Sequence, residues 1–89
     1  MATIRFLPPL SQKATKEAVQ VQGATLGELC RKLIKTYRLP EDLFFDATGA
    51  LSPEVIIFVN RRNARTLQGM ETRVDEHTDV LVMQYLVGG

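Results

Sequence analysis

The chain of 89 residues contains a single cysteine, Cys30, and a single histidine, His77. The lone cysteine excludes an internal disulfide framework, and the two residues together exclude a zinc site built from several His and Cys ligands. Charge of one sign is also missing. Eleven Lys and Arg stand against ten Asp and Glu, and a formal net charge of +1 supplies no field strong enough to draw in nucleic acid or an anionic membrane. No apolar run is long enough for a membrane span, and residues 1–10, with one Arg and two adjacent prolines, do not form a signal-peptide core. No targeting segment is read, and a reducing cytoplasm is the expected compartment. Internal repeats, low-complexity tracts and linkers are absent as well, so the chain is read as one unit.

What is present is an ordinary globular balance, with 45% hydrophobic and 24% charged residues, enough for one modest core and no second domain. Thr3 to Leu7 alternates, with Ile4 and Phe6 on one side, and Pro8-Pro9 stops the run because proline cannot donate to a ladder. Ser11 to Thr15 reads as a polar connection. Glu17 to Gln22 alternates again through Val19 and Val21 and closes at Gly23, which suggests a hairpin with the first strand.

Thr25-Leu26-Gly27-Glu28 is a capping-box pattern: the Thr25 hydroxyl accepts from the Glu28 N–H, and the Glu28 carboxylate reaches back to the N–H of Thr25. Leu26, Leu29, Cys30, Leu33, Ile34 and Tyr37 then recur at steps of three and four, so a helix is expected from here to about Arg38 or Leu39, before Pro40. Phe44-Phe45 is expected under the sheet and Asp46 to Gly49 in a turn. Val55 to Val59 reads as a strand covered on both faces or lying centrally, followed by a turn at Asn60 to Asn63. Arg65 to Leu67 is read as a short return strand, Gly69 to Val74 as a connection, and Val80 to Val87 as the last strand, leading to Gly88-Gly89. The order β-β-α-β-β with one amphipathic helix implies an α+β fold in which that helix covers one face of a mixed sheet of about four to five strands. Strand one and the last strand are apolar enough to lie side by side in its centre. That arrangement is a β-grasp, or ubiquitin-like, roll, with residues 1–87 as the domain and 88–89 as a flexible Gly-Gly tail.

Catalytic chemistry finds little support in the side chains. His77, between Glu76 and Thr78, reads as a turn residue that tolerates positive φ. Cys30 lies on the buried stripe and reads as a small core hydrophobe. Arg61, Arg62 and Arg65 form the densest positive cluster and read as a solvated loop. The chemically suggestive feature is Gly88-Gly89. A terminal carboxylate preceded by two residues without side chains can thread a narrow channel and approach the α-phosphate of a nucleotide.

Val55-Ile56-Ile57-Phe58-Val59-Asn60, then Gly69-Met70-Glu71-Thr72, then Asp79-Val80-Leu81-Val82 and Gly88-Gly89 resemble, in order and spacing, the MoaD/ThiS family of sulfur-carrier proteins. Strand one followed by Thr25-Leu26-Gly27-Glu28-Leu29 resembles the same family, so the likeness spans nearly the whole chain. The resemblance implies a carrier rather than an enzyme, or the small subunit of a synthase. It implies no catalytic residue, metal or stably bound cofactor in the chain itself. Gly89 is the group adenylated by an E1-like enzyme, which uses ATP and Mg²⁺, and is then converted to a thiocarboxylate. Gly88 and Val87 complete the tail, and a sulfur-accepting synthase or hydrolase is the second partner. Because alternate residues of a strand share a face, and only one face can meet the helix, Phe58, Leu81, Met83 and Tyr85 are expected to form the partner-docking patch.

The chain departs from the molybdopterin-synthase pattern in having Gln84-Tyr85 where a proline pair is common, Val87 before the glycines, no glycine at Asn60 to Asn63, and Glu76-His77-Thr78 before the last strand. Molybdenum cofactor, cysteine or homocysteine, thiamine and thioacid pathways therefore all stay open as destinations of the sulfur. A ubiquitin-like modifier conjugated through Gly89 and a non-catalytic interaction module are the alternatives.

Overall fold

A computed structural model describes residues 1–85. Strands β1 (Ala2–Phe6), β2 (Val19–Val21), β3 (Val55–Val59), β4 (Arg62–Asn63) and β5 (Asp79–Gln84) form one sheet in the order β2-β1-β5-β3-β4. β1 and β5 pair in parallel at its centre, Ile4 opposite Val80 and Phe6 opposite Val82, and the other three pairings are antiparallel. This is the mixed sheet and central pair of a β-grasp roll.

Helix α2 (Leu26–Tyr37) follows a one-turn helix α1 (Leu10–Lys13) and crosses one face of the sheet; a second single turn, α3 (Glu41–Phe44), succeeds it. α2 starts as its capping box dictates, the Glu28 N–H donating to Thr25 Oγ1 at 3.3 Å. The Glu28 carboxylate reaches one residue further back than expected and accepts from the N–H of Ala24 at 2.7 Å. Thr25 itself lies opposite Arg73 in an isolated antiparallel bridge, whose hydrogen bonds run from the Leu26 N–H to the Thr72 carbonyl at 2.9 Å and from the Val74 N–H to the Ala24 carbonyl at 3.1 Å. Leu26, Leu29, Cys30 and Leu33 are buried and Ile34 and Tyr37 half-buried, so the helical stripe is core. Tyr37 stacks edge-on to Phe6, ring centres 6.0 Å apart. The helix ends at Arg38, whose φ of 55° is left-handed and breaks the ladder. Gly27 has a packing duty: a Cβ there would lie 3.2 Å from the carbonyl oxygen of Met70, in the 3₁₀ turn Gly69–Glu71.

Three expectations are corrected. The polar connection at Ser11 to Thr15 is the helical turn α1, because Leu10 is inserted in the core and the Ala14 N–H closes back on its carbonyl at 3.1 Å. Ladder pairing in the second strand covers Val19–Val21 only, opposite Ile4 to Ala2. The return strand is Arg62–Asn63 instead of Arg65 to Leu67: the Asn63 side chain accepts from the Arg65 N–H and turns the chain into a 3₁₀ helix, Ala64–Thr66, that buries Ala64. For Val55–Val59 the second of the two expected alternatives holds: it lies inside the sheet between β5 and β4, with residues that alternate buried and half-buried. Phe44 and Phe45 are buried as expected, and the Asp46 carboxylate holds its turn by accepting from the Thr48 and Ala50 N–H groups.

Candidate docking face and tail anchor

The period of two in β3 and β5 divides their side chains between the core and the open face of the sheet. Val55, Ile57, Val59, Val80 and Val82 are buried inward, so Ile56, Phe58, Leu81 and Met83 must point outward, where each is half-buried. Register brings them together: Phe58 is the cross-strand partner of Leu81 and Ile56 that of Met83. β1 adds Arg5, which is opposite Leu81 on the other side. Three of the four residues expected in the patch thus form one apolar stripe over the central strands. Tyr85, 53% exposed, stands beyond the last paired residue of β5. Ile56 was missed, although the same alternation that selects Phe58 selects it.

The stripe runs into a depression of about 550 Å³ lined by Arg5, Phe58, Asn60, Arg61, Asp79, Val80 and Leu81. Its wall is a tight turn in which Asn60 and Arg61 take φ values of 50° and 69°, the conformation for which a glycine was expected. Asparagine accepts it readily, and here it also ties the turn to β5. The Asn60 N–H donates to the Asp79 carbonyl and Asn60 Oδ1 accepts from the Asp79 N–H, both at 2.8 Å. Arg5 and Arg61 place two positive charges, and Asp79 one negative charge, around the depression.

The turn before β5 is held by Asp75. Its carboxylate accepts from the His77 N–H at 2.8 Å and from the Thr78 hydroxyl at 3.1 Å, contacts that hold its pKa below the usual 3.8. His77 is not among the residues with positive φ; it is a solvent-exposed turn residue near Glu76, and the Asp75 side chain does the work assigned to its backbone. Burial pushes the Cys30 thiol up to about 12, which leaves it protonated and inert at neutral pH. Among the described residues no three His, Cys, Asp or Glu side chains are grouped so as to hold a metal ion. Arg61, Arg62 and Arg65 are all exposed, and the Arg65 guanidinium in addition donates to the main-chain carbonyls of Leu51, Ser52 and Val55.

Gln84 is the last residue of β5 and pairs with Val55; one residue on, the Tyr85 N–H donates to the Glu54 carbonyl at 2.8 Å. Val87, Gly88 and Gly89, the expected tail and reacting group, and the 87/88 domain boundary lie outside the described residues.

No family profile matches the chain. A protein of Archaeoglobus fulgidus assigned as a sulfur carrier is 30% identical over 71 residues, 80% of this chain and 81% of its own length. The fold superposes on a chain of the crystal structure of the BexX/CysO complex of Amycolatopsis orientalis with a TM-score of 0.81, at 19% identity and with all of both chains covered. It superposes on Urm1 of Trypanosoma brucei with a TM-score of 0.76, at 25% identity over 99% of this chain and 94% of that one.

Proposed function

Because this chain belongs to the ubiquitin-like sulfur carriers of the MoaD/ThiS type, we propose that it carries sulfur as a thiocarboxylate on Gly89 and that a separate E1-like enzyme performs the activation. A free carboxylate is a poor electrophile. Attack of a Gly89 carboxylate oxygen on the α-phosphate of ATP expels pyrophosphate and leaves an acyl adenylate, whose AMP a sulfur nucleophile can displace by acyl substitution. ATP and Mg²⁺ belong to the activating partner, which also supplies the acid, base and oxyanion contacts. This chain supplies the carboxyl, a tail without side chains at its last two residues, and a body to be recognised.

The observation that carries the reading is the relation of the open sheet face to β5. The stripe Ile56, Phe58, Leu81 and Met83 lies over the central strand that precedes Gly88-Gly89, so a partner seated on that stripe has the reacting terminus within the reach of a short tail. A fold neighbour comes from a BexX/CysO complex, a precedent for a body of this fold docking on a protein partner.

Intact-mass measurement on protein isolated with an untagged C-terminus tests the proposal. A fraction heavier by the replacement of one oxygen by sulfur supports it. Masses corresponding to isopeptide conjugates through Gly89, with no sulfur-bearing species, assign the chain a modifier role instead.

A further inference from the structure

Arg65 is exposed like Arg61 and Arg62, but among the described residues it is the member of the arginine cluster whose guanidinium is bonded to main-chain carbonyls. It stands on a fixed base, since its N–H donates to Asn63 Oδ1 at 3.0 Å and the neighbouring Ala64 is fully buried. Its guanidinium donates through Nη1 to the Leu51 carbonyl at 3.5 Å and through Nη2 to the carbonyls of Ser52 and of Val55, the latter at 3.4 Å. For the Val55 carbonyl the topology supplies the reason; the Ser52 carbonyl also accepts from the Val55 N–H at 3.4 Å. In an antiparallel ladder successive residues direct their main-chain groups to opposite sides. Glu54 faces β5, so Val55 faces the other way, where β4 is only two residues long and pairs no further than Phe58 and Val59. A planar fork of donors replaces the missing strand.

The clamped segment is also the anchor of the C-terminal chain. Ser52 is buried, its N–H donates to the Phe44 carbonyl at 2.9 Å, and its Oγ accepts from the Glu54 N–H at 3.1 Å. Glu54 then accepts from Tyr85 N–H, the last main-chain hydrogen bond of the described chain. We propose that Arg65 is a positioning residue for the tail: by clamping the Leu51–Val55 segment it fixes the Glu54 carbonyl that holds Tyr85, and so sets the point from which the Gly89 carboxyl is presented. The inference rests on the carrier reading. Three residues lie between Tyr85 and Gly89, and the four steps span at most about 14 Å, so the position of Tyr85 bounds where the reacting group can be presented.

The test compares the native chain with Arg65→Ala, Arg65→Lys and Ser52→Ala, by amide exchange and by pyrophosphate exchange with the cognate E1-like enzyme. In Arg65→Ala the Tyr85 N–H should exchange about tenfold faster, while the Leu7 N–H, which donates to the Val82 carbonyl at the same end of the sheet, is unchanged. The kcat of adenylation should fall about tenfold with KM within about twofold, because Arg65 lines no part of the outer depression and docking is untouched. Lys, a single-point donor, should restore part of both. Ser52→Ala, which frees the Glu54 N–H, should reproduce the split should Arg65→Ala melt below the assay temperature. Unchanged Tyr85 exchange together with unchanged kcat overturns the inference, and so does a rise in KM alone, which makes Arg65 a docking contact. A native chain that is not adenylated overturns the carrier reading and with it tail presentation, while amide exchange still decides whether Arg65 holds the anchor.

Discussion

Phe58 and Leu81 face each other across the β3–β5 ladder, on the side of the sheet away from α2. Their neighbours Ile57, Val59, Val80 and Val82 are buried beneath the helix, so the pair is the outward half of a strand couple that is apolar on both sides. A half-buried Phe-Leu pair flanked by Arg5 and Arg61 is the composition of an interface centre with a charged rim.

Charge placed at this pair should break docking without breaking the fold. Leu81→Glu or Phe58→Glu is expected to raise the KM of adenylation about tenfold or more, as loss of a central apolar contact costs roughly 2 kcal/mol. Circular dichroism should show native structure. Unimpaired adenylation by a folded variant would move the docking patch elsewhere.

The tail should act on chemistry and not on stability. Removing Gly89, adding one residue after it, or Gly88→Val is expected to abolish pyrophosphate exchange while changing stability by less than about 0.5 kcal/mol, the scale of a surface substitution. Each variant should still compete with the intact chain for the enzyme. An extended chain that supports sulfur transfer as well as the native one, with no protease to trim it, contradicts the carrier mechanism.

Leu33 is 2% exposed on the buried stripe of α2. Leu33→Ala should cost about 2 to 5 kcal/mol through the cavity it leaves. Urea unfolding measures this, and activity below the new melting temperature should be retained, because the residue touches only the core.

Asp75 and Asp46 both have carboxyl pKa values lowered from 3.8 by the hydrogen bonds they accept, Asp75 chiefly from the His77 N–H and Asp46 chiefly from the Thr48 hydroxyl. A depressed folded-state value adds stability above the unfolded value, and that contribution is lost as pH falls through the folded one. Native stability should therefore decline below about pH 4, and Asp75→Asn should flatten part of that decline while weakening the protein at neutral pH. Denaturant titrations at several pH values read both effects, and a variant as pH-sensitive as the native chain would remove Asp75 from the account.

For Cys30 the sign is opposite. The folded thiol is raised from 9.0 to about 12 by burial, so its contribution is complete below about pH 9 and lost as pH rises beyond it. Iodoacetamide should label Cys30 only on unfolding. Rapid labelling of the native chain at neutral pH would show that the helical stripe opens.

The elements legible in the sequence were those whose signals are local. The Thr25 cap, the stripe from Leu26 to Tyr37 and the stop before Pro40 all arise from contacts within four residues, and α2 follows them closely. The alternation of β3 and β5 likewise located Phe58, Leu81 and Met83 on a common face once a single helix had to cover the other. Sequence alone therefore determined the helix, the two central strands, the β-grasp order and the glycine ending. Tertiary structure decided the rest. Leu10 became core in a short helix because the sheet leaves a site for it, and Arg62–Asn63 became the return strand because the Asn63 side chain turns the chain at once. The exposed Arg65 donates to the carbonyls of Leu51, Ser52 and Val55, the last left open by the shortness of β4, a deficit that exists only after strands distant in sequence have paired. Hydrophobic period and caps are written in neighbouring residues, whereas the partner of an unpaired carbonyl is chosen by whatever the completed fold brings within hydrogen-bond distance.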